Sequence, residues 1–70
     1  MNDLSKVRRI LDEQIVSQLV ELEGFDYLQA LEVYYNSETY RFLNDDERYG
    51  LSRLGGVSLA IRVLQEIETV

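Results

Sequence analysis

Apolar positions in the first third of the chain recur at helical spacing. Leu4, Val7, Leu11, Ile15, Leu19 and Leu22 advance by three or four residues, which places them on one stripe of a helix over 4–22. Arg8–Asp12 and Arg9–Glu13 stand one turn apart, where opposite charges pair weakly. Gly24 supplies the left-handed residue that closes such a helix. Val16 and Val20 lie off the stripe, so the helix is apolar around more of its circumference than one core requires. A helix apolar on two sides is either central in its domain or pressed against another chain.

The next stretch, FDYLQA, carries the start signals of a second helix. Asp26 is placed to cap it, Gln29 completes a capping box, and Phe25 and Ala30 have the spacing of a hydrophobic staple. This helix is expected to run to about Tyr35, with Leu28, Leu31 and Tyr35 on one side. Asn36 and Ser37 interrupt it, because their short polar side chains compete for backbone groups. Ser37 then caps a short third helix over 38–43. NDDERYG, at 44–50, reads as a polar turn, and the Gly55–Gly56 pair as a flexible one. The last helix, VSLAIRVLQEI, sets Val57, Ala60, Ile61, Leu64 and Ile67 on one face and leaves Arg62, Gln65, Glu66 and Glu68 polar. The expected fold is all-α: one helical domain over 1–70 of three to four helices, its long N-terminal helix packed against the C-terminal one.

Composition narrows how such a fold is stabilised. At 70 residues with no cysteine and no histidine, the chain has neither a disulfide framework nor the common zinc ligands. A core this small supplies only about 3–5 kcal/mol of net stability. Oligomerisation is the remaining remedy, and a homodimer is expected. No apolar run reaches the roughly 18 residues that span a bilayer, and MNDLSKVRRILDEQ is too charged for the apolar part of a secretory signal. The chain therefore reads as cytoplasmic, with no membrane partner.

Charge bears on partners. Seven basic side chains against thirteen acidic ones give −6, and a phosphate backbone repels such a molecule unless a basic patch overrides the field. The one dense basic group, Lys6, Arg8 and Arg9, is followed at once by Asp12 and Glu13. No nucleic acid is expected.

No residue set announces a reaction. Asp45, Asp46 and Glu47 are adjacent carboxylates, but they lack the alternating ligand spacing, turn glycine and distant glutamate of a calcium loop. LGGVS opens a helix with glycines, yet has no lysine to complete a phosphate loop. Without histidine or cysteine, an activated nucleophile has no ordinary base beside it. The sequence predicts no catalytic residue, no metal site and no cofactor, and the chain reads as a non-enzyme.

The aromatic residues carry the remaining signal. All seven (Phe25, Tyr27, Tyr34, Tyr35, Tyr40, Phe42 and Tyr49) fall between positions 25 and 49. Tyrosine joins a large apolar ring to a polar tip, which suits both a thin core with a wet rim and a protein interface. Tyr27 and Tyr34, seven apart, share a face distinct from that of Tyr35, so one helix cannot turn all three to one core. Val16, Val20, Tyr27, Tyr34 and Tyr40 are the interface candidates.

Residues 34–51, YYNSETYRFLNDDERYGL, follow a pattern close to YYxSxxYxxLxDxxxGL through Tyr34, Tyr35, Ser37, Tyr40, Leu43, Asp46, Gly50 and Leu51, with looser spacing before the glycine. In this the chain resembles a group of small uncharacterised bacterial proteins, themselves similar to accessory or antitoxin-like components of operons. LSRLGGVS stands where that group has Ser-Pro before its last helix. The resemblance implies a helix–break–helix locked by aromatics, a protein partner from the same operon, and no catalytic residues. The function expected is a small protein-interaction module. The alternative is a DNA-binding antitoxin or regulator that uses the corner between helices as a helix-turn-helix.

Overall fold

The computed structural model describes residues 3–45 and 50–68, and every regular element among them is helical. In chain order these are α1 (Asp3–Glu23), α2 (Tyr27–Tyr35), α3 (Glu38–Asn44), a single 3₁₀ turn (Leu51–Leu54) and α4 (Gly55–Glu68). The fold is all-α, and the long N-terminal helix packs against the C-terminal one as expected, with α2 as its second neighbour. Residues 46–49 of the polar turn lie outside the described residues, as does the side chain of Leu4.

The helix-end signals at Gly24, Asp26 and Ser37 act as read. Gly24, at φ 73°, closes α1 and donates its N–H to the Val20 carbonyl at 2.9 Å, the left-handed closure that glycine makes without strain. Asp26 accepts from the Gln29 N–H at 2.8 Å and so begins α2. Ser37 caps α3: its hydroxyl oxygen accepts from the Tyr40 N–H at 3.0 Å, and its O–H donates to the Tyr34 carbonyl at 2.6 Å.

The core is contributed by every α-helix: Leu11, Ile15, Val16 and Leu19 from α1, Ala30 and Tyr34 from α2, Leu43 from α3, and Leu59, Ala60 and Val63 from α4. Phe25, Val20, Leu31, Val33, Tyr40 and Leu64 pack against its edge, half-buried.

Which faces turn inward differs from the expectation. The buried side of α1 is centred near Ile15 and Leu19 and extends round to Val16, a rotation of roughly 50° at about 100° per residue. Val7 and Leu22, expected in the core, are exposed. Val16, expected to be surplus and free for a second chain, is 2% exposed and belongs to the core. Arg8 and Asp12 share the rotated face, half-buried, because polar partners on α2 and α3 meet them there. In α2 the inward pair is Ala30 and Tyr34, while Tyr35 is exposed and Leu28 is 76% exposed.

The glycine pair is likewise no flexible turn. Gly55, at φ 84°, begins α4, and Gly56 is buried where α4 meets α1. A Cβ on Gly56 would lie 2.5 Å from the Cβ of Gln14, so only glycine permits this approach. The approach turns Leu59, Ala60 and Val63 inward and leaves Val57, Ile61 and Ile67 exposed, where the sequence pattern had placed all three on the packed face.

Candidate protein-interaction surface

α3 has seven residues, too few to persist as an isolated helix. It is held at both ends by side chains from other helices. At its N-terminus the Glu66 carboxylate of α4 accepts from the Glu38 N–H at 2.7 Å, the Thr39 N–H at 2.9 Å and the Thr39 hydroxyl at 2.5 Å. At its C-terminus Arg8 of α1 donates to the Leu43 carbonyl at 3.1 Å and to the Asn44 side-chain oxygen at 2.9 Å. Anion at the start and cation at the end is the arrangement the helix dipole favours.

The same arginine anchors α2. Arg8 pairs with Asp12 at 3.0 Å, and Asp12 accepts from the Tyr34 hydroxyl at 2.5 Å. Burial disfavours the Arg8 charge, but the hydrogen bond and charge of Asp12 outweigh that and raise its pKa. Burial and the bond to Asp12 together push the Tyr34 phenol well above its ordinary value. Tyr40 packs edge-on to Tyr34, with ring centroids 5.1 Å apart, and carries the Arg8 guanidinium 5.4 Å from its own centroid. Tyr35 closes the cluster at 5.0 Å from Tyr40. Among the described residues no buried side-chain polar atom lacks a partner, and this network ties α1, α2 and α3 together. Its work is to lock the corner.

The five interface candidates therefore separate. Val16 and Tyr34 are inside the core, Tyr34 at 0% exposure, and present nothing to a partner; both expectations are corrected by the rotation of α1 and by the Asp12 hydrogen bond. Tyr40 is half-buried in the aromatic corner. Val20 and Tyr27 do come together, lining an open groove with Glu13 and Ser17 of α1.

The residues that the sequence reading missed lie on the other side of that ridge. Ile10, 59% exposed, and Val57 of α4, 54% exposed, line a second groove together with Glu13, Gln14, Ser17 and Gly56. Its volume, about 480 Å³, falls in the small-ligand range. Most of its wall, however, is solvated Glu13, Gln14 and Ser17 rather than an apolar enclosure. The signal for Ile10 was present: it is an isoleucine off the helical stripe, between Arg9 and the next turn's Glu13. For Val57 there was none, since its exposure follows from the Gly56 contact. The outward ridge of α1 thus runs between two open grooves, each with a large apolar side chain in its wall.

Among the described residues no group of three or more acidic side chains is placed to hold a metal ion, and no helix is long and apolar enough to cross a membrane. Compared with protein-family models, with curated proteins and with solved structures, the chain matches none.

Proposed function

We propose that this chain is a small protein-interaction module that acts as a homodimer in the cytoplasm, with the outward ridge of α1 as its contact. The observation that carries the reading is that ridge: two grooves flank it, and Ile10, Val57 and Tyr27 stand exposed in their walls. The extent of open surface agrees with it. Among the described residues, exposed large apolar side chains are as numerous as the apolar residues of the core, and Ile10 and Val57 adjoin one another in one groove wall.

The helix-turn-helix alternative has less behind it. Arg8 is engaged by Asp12, Leu43 and Asn44, so the basic side chain that α3 itself offers is Arg41, beside Glu38. Binding to duplex DNA should be absent at micromolar protein and moderate salt, where gel-shift detection of salt-sensitive binding would revive that reading. Light scattering coupled to gel filtration tests the homodimer. A mass about twice the 8.2 kDa chain is expected, and a single-chain mass at high micromolar concentration would refute it.

A further inference from the structure

The ridge of α1 is self-complementary, and this picks out one docking geometry. We infer that two copies of the chain pack their α1 helices antiparallel about a two-fold axis at Ile10, which sets the two Ile10 side chains against each other beside the groove between α1 and α4. The inference rests on the homodimer reading above and adds the face, the axis and the charge pairing.

Ile10 stands between two grooves. One is bounded by Lys6, Arg9 and Glu13, the other by Glu13, Gln14, Gly56 and Val57. The apolar line continues one turn along each helix, to Val7 on α1 and Ile61 on α4, both exposed. A two-fold contact places the same patch on both sides, so the patch must tolerate itself. An axis at Glu13 would bring two carboxylates together. An axis at Ile10 sets isoleucine against isoleucine, and sets Lys6 and Arg9 of one copy opposite the partner subunit's Glu13. The pairing occurs twice, once on each side of the axis. The identity of the partner follows from the same charges. The chain as a whole carries −6, yet Lys6, Arg9 and Glu13 are all exposed and locally sum to +1. A basic partner drawn by the overall charge would dock elsewhere, whereas a copy of this ridge meets it with opposite charges in register. An interface of ordinary size takes about 800 Å² from each partner, roughly a sixth of the 5078 Å² exposed.

Complementary charge reversal tests the geometry. In the full chain, Glu13→Lys alone opposes like charges across the axis, and so does Lys6→Glu combined with Arg9→Glu. Each variant alone should therefore dissociate at least tenfold more readily than the unmodified chain, while an equimolar mixture of the two should form a heterodimer. Ile10→Glu should give a single-chain mass, and its far-UV circular dichroism should stay helical because Ile10 is outside the core. A dimer that survives Ile10→Glu, or a mixture of the two reversed variants that stays monomeric, overturns this geometry while leaving a homodimer through another face. An unmodified chain that is monomeric overturns the homodimer reading itself and this inference with it.

Discussion

The two sides of α1 are made of similar residues and do different work. The inward side carries Arg8, Asp12, Ile15, Val16 and Leu19; the outward side carries Arg9, Ile10, Glu13 and Ser17. Inside, the charged pair meets a phenol, a helix carbonyl and an amide at 2.5–3.1 Å, and the aliphatic side chains are covered by all three other α-helices. Outside, Arg9 and Glu13 have the same spacing but, among the described residues, no ion pair joins them, and Ile10 is exposed at the edge of the groove it shares with α4. The difference is not one of composition. A polar pair becomes structural when other segments supply its partners, and an isoleucine that no segment covers stays open to solvent.

The largest effect should come from charging the inward side. Val16→Glu would bury a carboxylate with no partner, at several kcal/mol, against a net stability of about 3–5 kcal/mol for so small a core. The chain should unfold, with loss of helical circular dichroism at room temperature. A folded monomer would instead return Val16 to the surface. Next is the seam between α1 and α4. Gly56→Ala would force a Cβ to within 2.5 Å of the Gln14 Cβ, and overpacking of this kind costs about 1–3 kcal/mol. Urea midpoints should fall accordingly, whereas an unchanged midpoint would mean that the helices can separate freely.

The Tyr34–Asp12 bond should be visible in alkali. Because the folded chain holds the Tyr34 proton more tightly than the unfolded chain does, this contribution is complete below the ordinary phenol value of 10.0. It declines as pH rises from there through the raised folded value, by about 1.4 kcal/mol per pH unit. Tyr34→Phe should flatten the stability loss between about pH 10 and 11 relative to the unmodified chain. Equal slopes would show that the phenol does not ionise differently on folding. The smallest effects belong to the caps. Asp26→Ala and Glu66→Ala should each cost about 0.5–2 kcal/mol, and a neutral Asp26→Ala would mean that α2 begins elsewhere.

What was legible in the sequence follows the same division. Helix ends were readable because their determinants are local: Gly24, Asp26 and Ser37 act on groups no more than four residues away. The faces were not. The inward side of α1 is set by Tyr34, Leu43 and Asn44, residues 22 to 36 positions distant from their partners, and no periodicity within α1 records them. Glu66 looked like one of several solvated side chains on the last helix, and its role at the start of α3 depends on Thr39, 27 residues earlier. The Gly55–Gly56 pair suggested flexibility because glycine is permissive, but at Gly56 the absence of a side chain serves close packing. Once that contact forms, α4 turns Val57 outward beside Ile10, and the candidate surface exists only as a consequence of the fold.

Thermal unfolding at several protein concentrations tests most directly whether the outward side of α1 docks while the inward side folds. Association stabilises by mass action, so the midpoint of a dimer rises with concentration. The unmodified chain is predicted to show that rise from low to high micromolar protein. Ile10→Glu is predicted to unfold at one concentration-independent midpoint, close to that of the unmodified chain at its most dilute. A midpoint for the unmodified chain that does not move with concentration, or an equal rise in Ile10→Glu, would contradict the account.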